Sequence, residues 1–257
     1  MANTIDTMLP EEILRGLIDG TLTEFEDDTV TSIGDRKFSN MTSLTRVSLS
    51  NATSIGESAF RDCTNLADIT FQNATSVDKN AFQGTNITSI TDANFPSLGV
   101  DTTCSISLAM SSLVSIKLTG GKISLGTIGA FQNSIPNAIT VEFPNAARDL
   151  SSKSAAIQAF YGNAKIELFD LGYVSSLPNM FAYGCANLRT IILRRTSSPV
   201  SLGGFSYSIL GGVYSNPSSS TIYVPQALIS SYQTATHWAT GYANGLTFAS
   251  IEGSIYE

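Results

Sequence analysis

The stretch Leu44-Thr45-Arg46-Val47-Ser48-Leu49, Asn51-Ala52-Thr53-Ser54-Ile55, Ala59-Phe60, Cys63-Thr64-Asn65 is followed at once by a second copy of itself. Leu66-Ala67-Asp68-Ile69-Thr70-Phe71 repeats its start, Asn73-Ala74-Thr75-Ser76-Val77 its middle and Ala81-Phe82 its aromatic pair, at a constant offset of 22 residues. A cruder copy precedes them at Leu22, Phe25, Ile33 and Phe38, again 22 residues away. A fixed period of this kind marks a solenoid. One unit cannot bury its own apolar face, so each unit stacks on its neighbours.

Every unit opens on apolar-x-x-apolar-x-apolar. The central apolar residue is read at Phe25, Val47, Ile69, Ile90, Ile116, Val141, Ile166, Ile191 and Ile222, at intervals of 22, 22, 21, 26, 25, 25, 25 and 31. A strand alternates faces with period two, so Val47 and Leu49 point inward while Arg46 and Ser48 point outward. Stacked about 4.8 Å apart, such strands build one continuous parallel sheet over a continuous core. A second marker, Phe38, Phe60, Phe82, Phe131, Phe160, Phe181 and less regularly Phe205, predicts a column of rings opposite the sheet.

The units differ after Ile90. From Asp92 to Ser112 there is no Ala-Phe pair, and Asn94-Phe95-Pro96 and Cys104 stand there instead. Ser151 to Phe160 reads as a short helix, and Thr196 to Ser220 as an irregular Ser/Gly/Tyr-rich excursion. Leu9 to Ile18, with Pro10 and two acids in its first turn, fits an amphipathic helix shielding the first coil. Leu228, Ile229, Tyr232 and Ala235, within Gln226 to Trp238, share a helical face at the other end. The expected organisation is one domain: an N-terminal helical cap over 1-21, a solenoid of about nine coils over 22-224, and a C-terminal cap over 225-257. The solenoid is expected to be irregular at 92-112, 144-163 and 194-220.

Composition narrows function. Charged residues are 14% of the 257, against about 25% in an average soluble protein, while Ser and Thr together number 62, so the chain is polar without being charged. Residues 1–101 hold 15 acids and 6 bases, a charge of −9, and residues 102–257 hold 6 acids and 8 bases, +2. No basic stripe could follow a phosphate backbone, which speaks against nucleic acid as a partner. Glu24, Glu26, Asp27 and Asp28 read as a solvated end face, because the carboxylate spacing and glycine turn of a calcium loop are missing. The N-terminal residues lack a basic start and apolar run, and no stretch approaches the roughly 20 apolar residues of a membrane span. Neither a signal peptide nor membrane insertion is expected.

Cys63, Cys104 and Cys185 are an odd number without CxxC spacing, which argues against zinc and against a disulfide framework. Cys63 and Cys185 each lie three residues before a repeat leucine, so they share a column. Five coils separate them by about 24 Å, far beyond the roughly 7 Å that a disulfide tolerates. Both are expected to be buried free thiols. His237 is the single histidine and has no recognisable catalytic partners. No metal or cofactor motif is present, and the reading is of a protein that is not an enzyme. The rival, a parallel β-helix enzyme, would lay down several strands per coil where one strand signal recurs here. For binding, the outward residues of successive strands form the natural surface. The candidates there are Arg46, Asp68, Thr70, Lys117, Glu142, Lys165, Glu167 and Tyr223. Tyr207, Tyr214 and Tyr223 make a second candidate patch.

Leu44 through Leu66, with Ile55-Gly56, Ala59-Phe60 and Cys63, resemble the BspA-like leucine-rich repeat family. The resemblance runs from about Leu22 to Ile251, with degenerate middle units. Leu188 to Arg194, then Ile222 to Pro225 with Tyr232, Ala235 and Trp238, are similar to a tail found in a phage-associated branch of virion and prophage proteins of gut bacteria. Other members of the family are bacterial surface adhesins. The resemblance implies an α/β repeat fold, a right-handed leucine-rich-repeat solenoid with one continuous parallel sheet and helical N- and C-terminal caps. It also implies a recognition role at a virion surface, with a bacterial or mucosal surface glycan or protein and other virion proteins as partners, and an oligomer possible. A bacterial cell-surface adhesin and a purely architectural virion protein are the alternatives.

Overall fold

The computed structural model describes residues 3–5, 10–96, 105–106, 109–119, 131, 134–145, 160–177, 181–202, 220–239 and 245–257. The strongest column of strands comprises β2 (Glu24–Glu26), β4 (Arg46–Ser48), β6 (Asp68–Thr70), β8 (Ser89–Thr91), β10 (Ser115–Lys117), β11 (Thr140–Glu142), β12 (Leu168–Asp170), β14 (Thr190–Ile192), β16 (Thr221–Val224) and β17 (Thr247–Ser250). All pairings are parallel and in register, so Phe25, Val47 and Ile69 are partners, as are Ile90, Ile116, Val141, Phe169, Ile191, Ile222 and Phe248. Those side chains are buried and belong to one apolar core. The fold is a parallel-strand leucine-rich-repeat solenoid.

Two expectations about register need correction. The strand centre expected at Ile166 is occupied by Phe169, paired with Val141 and Ile191. Ile166 is instead the buried residue three positions earlier, matching Leu44, Leu66, Leu113 and Leu188. Lys165-Ile166-Glu167 imitates the polar-apolar-polar strand pattern, and the next column outranks it. The sheet is also not continuous among the described residues: β2, β4 and β6 form one sheet, and β8 onward a seven-stranded one. At the break, Asp92-Ala93-Asn94 forms a turn between β8 and the core residue Phe95, which stacks on Phe71 at 5.3 Å. The Asn94 carboxamide takes over ladder groups of β8, accepting from Thr91 N at 2.7 Å and donating to Ser89 O at 3.1 Å. The coils remain joined there through Phe71 N to Asn94 O (2.8 Å) and Asn86 N to Leu66 O (2.9 Å). Asn94-Phe95 is thus a splice that keeps the core packed across an interval of irregular length.

Several of the described coils carry a second strand that the repeat did not announce. β1 (Asn3–Ile5), β3 (Val30–Ile33), β5 (Ser54–Ile55), β7 (Ser76–Val77) and β9 (Ser105–Ile106) form a five-stranded parallel sheet, and β13 (Ser176–Leu177) pairs with β15 (Ser201–Leu202). A third line of main-chain bonds joins the turns between coils: Phe38 N to Ala59 O at 2.7 Å, Phe60 N to Ala81 O at 2.8 Å and Phe160 N to Phe181 O at 3.0 Å. Those turns use left-handed backbone at Arg36, Asn40, Ser58, Asp62 and Asn80, with glycine at Gly84, Gly162 and Gly184.

The ring column is real, with one change of register. Phe38, Phe60 and Phe82 stack in parallel at 4.9 and 5.4 Å, and Phe131 stacks on Phe160 at 4.8 Å. Phe181 meets Phe160 edge-on at 69°. Its carbonyl accepts the bond that Ala59 accepts elsewhere, so Phe181-Ala182 is the Ala-Phe pair in reverse order. Phe205 and the helix expected at Ser151 to Phe160, save Phe160 itself, lie outside the described residues.

At the ends, α1 (Glu11–Asp19) follows Pro10 and stops at Gly20, whose φ of 81° is the left-handed conformation glycine tolerates. Leu17 is buried and Ile13 and Leu14 pack against the core, whereas Ile18, on the margin of that stripe, is 70% exposed. After β16, a 3-10 turn at Gln226–Leu228 leads into α2 (Ile229–Thr234). Tyr232 and Trp238 are buried there: the Tyr232 hydroxyl accepts from Val200 N at 2.9 Å, and Trp238 Nε1 donates to Val200 O at 2.7 Å. β17 then pairs with β16 and extends the main sheet within the segment expected as the C-terminal cap.

Candidate functional site

The outward positions of the main column form two rows. One runs Glu24, Arg46, Asp68 and, beyond the splice, Ser89, Ser115, Thr140, Leu168, Thr190, Thr221 and Thr247; the other runs Glu26, Ser48, Thr70, then Thr91, Lys117, Glu142, Asp170, Ile192, Tyr223 and Ala249. Six of the eight candidates, Arg46, Asp68, Thr70, Lys117, Glu142 and Tyr223, stand in these rows. Lys165 and Glu167 do not, because β12 begins after them. Lys165 Nζ instead donates to Asn137 Oδ1 at 2.6 Å, tying adjacent coils together ahead of the strands.

The rows divide at the splice into two electrostatic settings. On the N-terminal side, Arg46 lies among three carboxylates, Glu24 at 3.6 Å, Glu26 at 3.4 Å and Asp68 at 3.5 Å, all largely exposed. Exposed pairs of this kind are worth about 0–1 kcal/mol and leave a negative surface. On the C-terminal side, Lys117 pairs with Glu142 at 2.9 Å, and Arg194 with Asp170 at 2.7 Å. The Asp170 side chain is 4% exposed and also accepts from Gly172 N at 3.1 Å, so its carboxylate is fully engaged. That carboxylate holds the Arg194 guanidinium above its ordinary value, against the opposing effect of burial.

Between these pairs and the segment 251–257 lies a half-enclosed cleft of about 310 Å³. Leu168, Ile192, Pro144 and Ile255 supply its apolar lining, and Lys117, Glu142 and Arg194 its polar one. Tyr256 forms the far wall, held edge-on against Tyr223 with ring centres 4.7 Å apart. Tyr223 is therefore a support for that wall. Of the cleft residues, Asp170, Arg194 and Tyr256 were not singled out in the sequence. Misplacing β12 hid Asp170, and Arg194 lies two residues past its strand. Tyr207 and Tyr214 lie outside the described residues.

A second hollow, of about 350 Å³, opens between Pro199–Leu202 and Ala235–Trp238. His237 lines it with backbone φ of 73°, beside the apolar Val200, Leu202 and Trp238. Cys63 and Cys185 are buried free thiols; burial pushes each up to about 12, and each donates to a phenylalanine carbonyl of the preceding coil, Phe38 at 2.9 Å and Phe160 at 3.4 Å. Neither is a nucleophile at neutral pH. Among the described residues, no group of three or more His, Cys, Asp and Glu side chains is placed to hold a metal ion, and no helix is long and apolar enough to cross a membrane.

The coil geometry defines a leucine-rich-repeat solenoid with a side-chain array on its sheet. Residues 21–102 match the family described as BspA type leucine rich repeat region, in six copies. The solenoid is also similar to the T. pallidum leucine rich repeat protein, at 21% identity over 68% of this chain and 67% of that one, with a TM-score of 0.40. A leucine rich cell surface protein from Faecalibacterium prausnitzii A2-165 is similar at 16% identity over 91% of this chain and 80% of that one, with a TM-score of 0.27. No curated protein matches the chain.

Proposed function

We propose that this chain is a non-enzymatic recognition protein whose outward sheet rows bind a bacterial or mucosal surface glycan or protein, and that it is carried on a phage virion at the tail. The observation that carries the binding role is the alignment of seven strands from β8 to β17, which sets unlike side chains side by side on one surface. A rigid array of this kind is preorganised, so little ordering cost accompanies binding. The sheet face recognises, and the other two lines of coil contacts hold the shape. The virion placement rests on the likeness of Leu188 to Trp238 to the phage-associated tail.

The test has two arms. Fluorescently labelled protein is incubated with a panel of gut bacterial cells and with mucin, and saturable binding to at least one is expected. Absence of binding to every surface refutes the recognition role. Mass spectrometry of purified particles is expected to find the chain in the virion. Finding it only in the bacterial envelope moves the same recognition role to a cell-surface adhesin.

A further inference from the structure

Resting on that reading, we infer that the cleft between the sheet face and residues 255–257 is a binding site for a neutral oligosaccharide. Its volume of about 310 Å³ falls at the lower end of the roughly 300–1,000 Å³ usual for small-molecule sites. Size alone selects nothing; the lining does.

Charge is the first selector. Lys117 and Arg194 are balanced by Glu142 and Asp170, and Glu257 stands at the margin, so the cleft has no positive excess to offer a phosphate, sulfate or sialic acid. The free hydrogen-bonding groups are the second. Asp170 is saturated, which leaves the Lys117 ammonium and the remaining Arg194 N–H groups as donors and the Glu142 carboxylate as acceptor. A hydroxyl both accepts and donates, so vicinal hydroxyls fit this alternation with no charge left uncompensated. The Lys117–Glu142 pair can open for them, because Lys117 is 57% exposed and such pairs are weak. The third selector is the apolar lining of Leu168, Ile192 and the Tyr256 ring, which suits the C–H face of a pyranose.

A peptide strand fits less well. Strand addition needs an unpaired sheet edge, and this cleft lies on the face of β10, β11, β12 and β14, which are all paired along the sheet.

The test uses the whole chain with labelled isoleucine and leucine methyl groups, titrated by NMR with lactose, cellobiose and N,N′-diacetylchitobiose. A printed array of neutral and sialylated glycans runs in parallel. The methyls of Leu168, Ile192 and Ile255 are expected to shift with at least one neutral sugar, while the core methyl of Ile116 stays fixed. Lys117→Ala and Tyr256→Ala are each expected to weaken that binding at least tenfold, with Arg15→Ala, exposed on α1 and outside the sheet rows, leaving it unchanged. Lys117→Ala carries the test if Tyr256→Ala loosens its segment, since Lys117 is solvent-facing and its main chain is untouched. Preference for sialylated glycans, shifts confined to other residues, or no sugar binding alongside retained binding to cells overturns the cleft assignment and leaves the recognition role standing. Loss of cell and sugar binding together removes both.

Discussion

Asn163 offers the sharpest test of how the coils are joined. It is fully buried, and its carboxamide bridges two coils: Nδ2 donates to Phe131 O at 2.6 Å and Phe160 O at 3.0 Å, and Oδ1 accepts from Ile135 N at 3.2 Å. In Asn163→Ala, both carbonyls keep a main-chain donor, from Ser134 N at 3.2 Å and Asn163 N at 3.4 Å, so each loses about 1 kcal/mol. The Ile135 amide loses its acceptor inside the core, which costs about 1–3 kcal/mol. The expected destabilisation is about 3–5 kcal/mol. The repeat itself supplies the control: Cys63 and Cys185 stand at the same place in their coils and donate to the corresponding carbonyl. Asn163→Cys restores that one bond but not the Ile135 acceptor, for an expected loss of about 2–4 kcal/mol, about 1 kcal/mol less than alanine. Urea unfolding followed by circular dichroism gives the midpoints, with an unchanged slope required, since solenoids can unfold in parts. Hydrogen exchange at Ile135 is expected to speed up in both variants. An alanine variant within about 0.5 kcal/mol of the parent, or a cysteine variant worse than the alanine one, refutes the bridge.

Further outcomes follow from other contacts within and between the coils. Cys63 and Cys185 are expected to resist a thiol reagent at pH 8 until the protein is unfolded, read by peptide mass mapping. Because their folded values near 12 exceed the ordinary 9.0, the stability they contribute is intact below pH 9 and lost between pH 9 and 12, and Cys63→Ala should flatten that fall. Arg194→Ala strands the buried Asp170 carboxylate and is expected to cost about 3 kcal/mol in urea unfolding, with Asp170→Asn in the same chain recovering part of it. Gly56→Ala places a methyl 2.6 Å from Asp35 Oδ1 and 2.8 Å from Asp35 N, so a loss of about 1–3 kcal/mol is expected; an unchanged midpoint would show that the coils do not approach that closely.

How far these contacts could be read from the chain depends on which column is considered. Val47, Ile69, Ile90 and Ile116 were legible because a three-residue strand with one inward residue recurs at nearly constant spacing. The Phe38-Phe60-Phe82 stack was legible for the same reason. Ile166 and Phe181 were misplaced because the residue types at neighbouring columns are alike: Leu, Ile and Phe serve three positions before the strand centre, at the centre and after it. Register is set by the backbone bonds to the next coil, which composition does not record. The second strands, Ser54–Ile55 and Ser76–Val77, are too short to show alternation. Phe248, at the familiar interval of 26 residues from Ile222, is hidden in the sequence by the helical segment that comes between them. Of the cleft, Lys117 and Glu142 were legible, since they follow from strand parity. Asp170 required the correct β12 register, and Tyr256 required knowing that residues 251–257 return to the sheet face.

The central claim is that successive coils stack at strand spacing and so set one row of outward side chains. Pulsed electron–electron distances between a nitroxide at Ser89 and another at Thr190, Thr221 or Thr247 test it directly. These positions are four, five and six strand steps along the sheet. The account predicts mean separations of about 19, 24 and 29 Å, rising by about 4.8 Å per step, with a constant offset from the labels. Distances that fail to rise in that order, or that rise by much more or less per step, contradict the stacked row and the recognition surface built on it.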